Sequence, residues 1–341
     1  MIEPAGSEPA VSEPVQPRPD ARGRARRSVL AVPGSSPRML AKAIGLPADE
    51  VFLDLEDAVS PLAKDEARRA VIAALQAGGF AAGVIAVRVN DVTTPWAYRD
   101  VIDVVEQAGD QLDAIILPKV SSPDHVHWCD LLLTQIESAI GLVPGRILIE
   151  VQIEDAAGLA AVDAIAAASG RIAAIAFGPA DFMASINMRS LVVGEQPPGY
   201  REGDAYHYPL SRILIAARAH GCQAIDGPYL QVRDQDGLRH VAERSAALGF
   251  DGKWVLHPDQ IDVVNGIFSP DQGDYDRACL ILDAYDYHTS TAGGRRGAAM
   301  FGAEMIDEAS RKMARVIAGK GRAAGLVRTA QFTPPPAPRT P

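Results

Sequence analysis

The sequence has few cysteines, no excess of basic residues and no long apolar run. Its 341 residues include three cysteines, Cys129, Cys222 and Cys279. Odd in number and widely spaced, they form no disulfide framework and suit a reducing compartment. Lys and Arg together number 33 against 43 Asp and Glu, a formal charge of −10. A chain this acidic lacks the basic stripe that neutralises phosphates, which excludes a nucleic-acid binder. No apolar stretch approaches the ~18–20 residues that span a bilayer, so no membrane partner is expected. Glu3, Glu8 and Glu13 precede any basic cluster and no apolar segment follows, so a secretory leader is not expected and the reading is cytoplasmic.

What is present is ordinary globular material. Hydrophobic residues make up 48% and charged residues 22%, enough for a large core. Residues 1–26 hold Pro4, Pro9, Pro14, Pro17 and Pro19 among Glu, Ser and Ala, then Arg22, Arg24 and Arg26. Such a stretch cannot bury enough to offset its ordering entropy and reads as disordered; so does 329–341, with Pro334-Pro335-Pro336.

Between these tails short apolar runs alternate with helical patterns. The runs are Ser28–Pro33, Glu50–Leu55, Val84–Val89, Ala114–Pro118, Arg146–Ile153, Ile172–Phe177, Cys222–Ile225 and Lys253–Leu256. Apolar strands separated by amphipathic helices predict a parallel sheet buried on both faces. Helices are expected at Ala63–Leu75, Trp96–Gln107, Ser122–Ala139, Gly158–Ala168, Tyr208–His220, Leu238–Leu248 and Pro258–Phe268. Eight such units predict an α/β fold, a (β/α)₈ TIM barrel over 27–270. The alternative, an open doubly wound sheet, would carry a Gly-rich first turn, and Pro33-Gly34-Ser35-Ser36 is not G-x-G-x-x-G. Residues 271–328 then form a C-terminal helical lid or oligomerisation extension, with helices near Tyr275–Tyr287 and Glu304–Ala324. An irregular excursion at 189–207 is expected on the rim where ligands bind.

Barrel chemistry collects at the carboxyl ends of the strands. Those ends read Asp54-Leu55-Glu56-Asp57, Arg88-Val89-Asn90, Pro118-Lys119, Glu150 to Asp155, Gly178-Pro179-Ala180-Asp181, Asp226 and His257. Carboxylates crowded at one mouth repel unless a cation joins them. Oxygen-only ligands favour Mg²⁺ or Mn²⁺ over zinc. By themselves, Lys64 and Arg68 read as a solvated helix face, Lys119 as either an ion-pair partner or a ligand, and His125 and His127 as surface residues.

Phe52-Leu53-Asp54-Leu55-Glu56-Asp57-Ala58-Val59, then Lys64 and Ala67-Arg68, resembles the citrate lyase β-subunit/malyl-CoA lyase family of the HpcH/HpaI aldolase superfamily. So do Arg88-Val89-Asn90, Leu117-Pro118-Lys119-Val120, Glu154, Gly178-Pro179-Ala180-Asp181 and Leu256-His257-Pro258-Asp259-Gln260. The Trp96 and Tyr206-His207-Tyr208 segments and the tail most resemble the malyl-CoA/β-methylmalyl-CoA lyase branch. The resemblance implies Mg²⁺-dependent cleavage or formation of a carbon–carbon bond in a 3-hydroxyacyl-CoA. It implies Glu154 and Asp181 as metal ligands, Glu56 and Asp57 as the acidic pair that holds waters on the metal, and Arg88 at the reacting carbonyls. Arg27, Arg38 and Lys64 fall where the family binds coenzyme A. The implied partners are acyl-CoA and 2-oxoacid substrates and further copies of the chain, in a trimer or hexamer whose sites are completed by a neighbour's tail.

The chain departs from the family pattern at one place. A catalytic aspartate is expected just before Met305-Ile306-Asp307, and Gly302 and Ala303 stand there instead. This leaves Glu304, a metal-bound water or another residue for the proton transfers. It also leaves two rival readings: a malyl-CoA thioesterase on the same scaffold, or a non-catalytic CoA-ester-binding subunit.

Overall fold

The structure is a computed structural model and describes residues 21–334. Eight parallel strands close into a barrel in chain order: β1 Ser28–Pro33, β2 Glu50–Asp54, β3 Val84–Arg88, β4 Ala114–Leu117, β5 Leu148–Ile153, β6 Ile172–Phe177, β7 Gln223–Asp226 and β8 Gly252–Val255. β8 returns to β1 through Ser28↔Lys253, Val29↔Trp254 and Leu30↔Val255. Every expected strand is present, within two residues at each boundary.

The period of two along each strand divides the residues between two cores. Leu30, Val51, Leu53, Ile85, Val87, Ile115 and Val151 join the large cluster between strands and helices. Val29, Phe52, Ala86, Ile116, Leu148, Ala174, Ala176 and Trp254 form a separate cluster within the barrel. Its many alanines leave room for the two rings, which meet at 4.6 Å between centroids. Full burial of each Val, Leu or Ile contributes about 1.5–3 kcal/mol, so the outer layer carries most of the cohesion.

The same alternation places Glu50 and Glu150 at the amino-terminal end of the barrel interior. Arg26 plugs that end. Its Nε lies 2.8 Å from Glu150 Oε1 and 2.8 Å from Glu50 Oε2, and its Nη1 donates to Gln223 Oε1 at 2.6 Å. Arg26 is fully buried and Ala21 is nearly so. The expectation of disorder through residue 26 is therefore corrected for 21–26: one arginine finds buried partners that composition alone does not reveal. Residues 1–20 lie outside the described residues.

The helical layer departs from the expected pattern in several places, among them an unexpected helix, Pro179–Ser185, after β6. A seven-residue helix, Pro37–Ala43, follows β1; Ser36 caps it, accepting from Met39 N. The helix expected at Gly158–Ala168 is two, Ala156–Ala160 and Val162–Ala167. In Lys64–Ala77 the face read as solvated is not: Lys64 and Arg68 are buried, and Arg68 Nε donates to Asp100 Oδ1 at 2.8 Å. The 189–207 excursion packs through buried Tyr206, whose hydroxyl donates to Glu195 O at 3.2 Å.

The tail is a satellite unit with its own small core of Tyr275, Ala278, Cys279, Ala314 and Ala318. Helices Gln272–Thr289 and Glu308–Ala323 pack together, joined through a hairpin of β9 Ala299–Phe301 and β10 Glu304–Ile306. Glu304 thus begins a strand, and the last helix starts only after Asp307, which caps it through Ser310 N at 3.0 Å. Lys320 Nζ donates to Phe250 O at 3.1 Å, near the amino end of β8. The terminal segment is also fixed as far as it is described: Thr329 N donates to Asp276 Oδ1 at 2.8 Å, and the rings of Phe332 and Tyr287 lie 5.8 Å apart. Residues 335–341 lie outside the described residues. Among the described residues no helix is long and apolar enough to cross a membrane.

Candidate active site

At the carboxyl ends of the strands, β2 contributes Asp54 and then the turn holding Glu56 and Asp57. Asp54 folds this turn, accepting from Glu56 N at 2.9 Å and Ala58 N at 3.2 Å. The same carboxylate receives Arg88 through Nε and Nη2, both at 2.7 Å. This bidentate pair fixes the guanidinium plane. Arg88 lies 5.6 Å from the Phe52 ring centroid and 5.4 Å from that of Trp254. Its remaining nitrogen, Nη1, stands 3.2 Å from Glu56 Oε2 and 3.4 Å from Gln152 Oε1. The surrounding carboxylates, Asp54 foremost, hold the buried guanidinium firmly protonated despite its desolvation.

β5 supplies Gln152 and, two residues on, Glu154. Glu154 Oε2 accepts from Gln152 Nε2 at 2.6 Å and Oε1 from the Lys119 backbone N at 2.6 Å. Gly178 makes this possible, because a Cβ there would come within 2.5 Å of Glu154 Oε2. Burial is the main reason the Glu154 carboxyl is pushed up to about 8. β6 leads through Gly178-Pro179 to Asp181, in the first turn of Pro179–Ser185.

Lys119 Nζ contacts Glu56 and lies 3.2 Å from both Asp57 oxygens. Burial raises the Glu56 carboxyl, against the pull of Arg88 and Lys119. Asp57 also loses solvent, but Lys119 draws its pKa below the usual value.

Two cavities meet at Glu154 and Asp181. One, of about 420 Å³, runs from Asp54, Asp57, Arg88 and Gln152 out between β1 and the Pro37–Ala43 helix, along Leu30, Val32, Ala43, Leu46 and Leu256. The other, of about 350 Å³, is lined by the polar residues Asp91, Thr93, Lys119, Ser121, His125, Asp155 and Ser185. Glu154 and Asp181 therefore line a shared space. Among the described residues no group of three His, Cys, Asp or Glu side chains is arranged to hold a metal ion; Glu154 and Asp181 are the two carboxylates common to both cavities. A buried carboxylate favouring its proton, beside a second carboxylate, suits a hard cation that would restore its charge.

The expected CoA residues are not gathered here. Arg27 precedes β1 and so sits at the opposite end of the barrel, bound to Asp49 by Nε at 2.7 Å and Nη2 at 2.8 Å and to Ser269 by Nη1. Lys64 turns inward: its Nζ donates to the carbonyls of Leu55 and Glu56, both at 2.8 Å, and buttresses the acidic turn. Arg38 is exposed on Pro37–Ala43 and is absent from both cavity walls. Besides Arg88, the apolar cavity's wall carries Lys42, one helical turn further on. Sequence reasoning missed it, together with the Phe52–Trp254 seat, although a period-two count back from Asp54 reaches Phe52. The 189–207 excursion lines neither cavity. His257 lines the apolar cavity, and its Nδ1 accepts from Asp259 N at 3.2 Å, so it orients its own loop.

Gly302 and Ala303 are the two-residue tip of the β9–β10 hairpin, and Gly302 takes a φ of +61°. Glu304 is tied to Arg277. No residue of 271–328 lines either cavity of its own protomer.

A parallel eight-stranded barrel whose mouth joins paired carboxylates, a fixed arginine and an apolar channel defines an aldolase-like class of barrel. The chain belongs to the HpcH/HpaI aldolase/citrate lyase family, which it matches over residues 27–258. It is 40% identical over 311 residues to the L-malyl-CoA/beta-methylmalyl-CoA lyase of Cereibacter sphaeroides, covering 89% of this chain and 96% of that one. It is 34% identical over 284 residues to the malyl-CoA/beta-methylmalyl-CoA/citramalyl-CoA lyase of Chloroflexus aurantiacus, covering 79% of each. Among solved structures, CitE of Mycobacterium tuberculosis in complex with magnesium, acetoacetate and coenzyme A superposes with a TM-score of 0.65 at 27% identity, covering 89% of this chain and all of that one.

Proposed function

We propose that this protein is a Mg²⁺-dependent carbon–carbon lyase acting on 3-hydroxyacyl-CoA thioesters. It cleaves or forms malyl-CoA or β-methylmalyl-CoA, with glyoxylate and acetyl-CoA or propionyl-CoA as the other side of the equilibrium. One observation carries the reading: Glu154, Asp181 and Arg88 line one cavity that continues as an apolar channel. That channel suits a pantetheine arm, and Lys42 at its wall suits the coenzyme's phosphates.

Glu154 and Asp181 would hold the ion. When bound, Mg²⁺ supplies Lewis-acid polarisation of the oxo acid's oxygens. The chain's own residues do the rest. Arg88 is locked by Asp54, so it meets the thioester enolate without reorganising; a fixed donor of this kind is worth about 3–4 kcal/mol. Asp57 lines the cavity, Lys119 holds it together with Glu56, and Lys64 buttresses their turn through its carbonyls. The aliphatic wall excludes water from the enolate, which otherwise takes a proton before it meets the carbonyl. In cleavage the hydroxyl loses its proton, the carbon–carbon bond breaks, and the enolate carbon is protonated. The tail lines neither cavity of its own protomer, and on this reading it serves a neighbour's site in a trimer or hexamer.

Incubation with Mg²⁺ and a panel of hydroxyacyl-CoAs, with mass detection, tests the reading. Glyoxylate plus acetyl-CoA from malyl-CoA is the expected result. Free malate would replace the lyase by the thioesterase, and CoA-ester binding without turnover would leave a binding subunit.

A further inference from the structure

Four carboxylates outside the Arg88–Asp54 pair converge on this mouth: Glu56, Asp57, Glu154 and Asp181. A divalent ion could in principle settle between either pair. Lys119 touches both sets through different groups. Its backbone N donates to Glu154 Oε1 at 2.6 Å, while its Nζ reaches Glu56 and lies 3.2 Å from Asp57. It does so from a left-handed backbone, φ +51°, one of three such non-glycine residues among those described. A long side chain in that region is strained by about 1–2 kcal/mol, and such strain persists where the surroundings over-determine it. Here β4 ends two residues earlier at Leu117, and contacts through the Lys119 backbone N and Nζ fix the residue. Lys119 also stands on the second cavity's wall, beside Glu154 and Asp181.

We propose that Lys119 is a positioning residue that sorts these carboxylates. Its ammonium fills the seat between Glu56 and Asp57 as a built-in cation, and its peptide N–H aims Glu154, so that only Glu154 and Asp181 are left for the divalent ion. The inference rests on the lyase reading for its effect on turnover, but not for its effect on ion binding. A surface ion pair would do neither of these things, because removing it leaves ion stoichiometry unchanged.

The test uses the full chain, with Mn²⁺ as a paramagnetic probe. Binding is counted by electron paramagnetic resonance, and steady-state kinetics are measured with the hydroxyacyl-CoA that the wild type turns over. Wild type is expected to bind one Mn²⁺. Lys119→Met is expected to bind two, and to lose at least about tenfold in kcat with KM for the acyl-CoA little changed, the scale typical of groups that orient metal ligands. Lys119→Gly removes the same side chain while relaxing the backbone, so it guards against misfolding and should give the same two shifts. Lys119→Arg keeps the charge and should restore one Mn²⁺ and most of kcat. One Mn²⁺ in both Lys119→Met and Lys119→Gly would overturn the proposal, as would a Lys119→Arg that behaves like Lys119→Met. If the wild type turns over no hydroxyacyl-CoA, the lyase reading falls and the Mn²⁺ count alone decides this one.

Discussion

Arg26 and Asp181 test opposite ends of the same barrel. Arg26 is buried against Glu50 and Glu150, and desolvation together with the Glu150 charge pushes the Glu50 carboxyl well above its usual range. Arg26→Ala and Arg26→Met both strand those carboxylates, so each should cost about 3–5 kcal/mol. Urea unfolding measures both; a much smaller loss in Arg26→Met than in Arg26→Ala would mean that packing, not charge, holds the floor. At the mouth, Asp181→Ala should abolish Mg²⁺-dependent turnover while the circular-dichroism spectrum and thermal midpoint stay near wild type. Unchanged turnover would remove Asp181 from the metal site. The sequence marked Glu56, Asp57, Arg88, Glu154 and Asp181 as candidates because strand ends in a barrel must converge. It could not reveal that Arg27 and Lys64 serve other partners: Arg27 belongs to Asp49, and Lys64 to two carbonyls of the acidic turn. Those choices are made by tertiary neighbours. The left-handed backbone of Lys119 leaves no sequence signal either, since Pro118-Lys119-Val120 contains no glycine or asparagine.

Among the elements, the eight strands were readable because each is a buried apolar run, and so were the two tail helices, but the hairpin between them was not. The sequence placed a helix start at Glu304, where a hairpin forms instead; Gly302 at φ +61° turns the chain and Asp307 delays the helix. Nothing lies within 4 Å of a Cβ built on Gly302, and aspartate tolerates the left-handed region better than most residues. Gly302→Asp should therefore fold and raise turnover if the hairpin tip is where the family's proton-transfer group belongs. No gain in kcat would show that another residue handles the proton. The terminal segment offers a pH test. Hydrogen bonds from Thr329 hold the Asp276 carboxyl down to about 2, below its ordinary value of 3.8. A depressed carboxyl stabilises the docked segment above 3.8, and that contribution is lost as pH falls through about 2. Hydrogen exchange at 326–332 should quicken across that range in wild type and be fast throughout in Asp276→Ala; an unchanged profile in the variant would remove Asp276 as the anchor.

For the molecule as a whole, a count of strands and helices sufficed to identify the barrel, because closure needs only eight units of the right period. What the count could not supply was the inside of the barrel, where small residues leave space for Phe52, Trp254 and Arg88, or the position of the tail beside the amino end of β8. The account depends on one divalent ion held between two carboxylates that are 27 positions apart in sequence, beside an apolar channel. Anomalous diffraction from crystals grown with Mn²⁺ measures this directly. The account predicts a single anomalous peak within coordination distance of both Glu154 and Asp181; a peak at Glu56 and Asp57, or none at the barrel mouth, would contradict it.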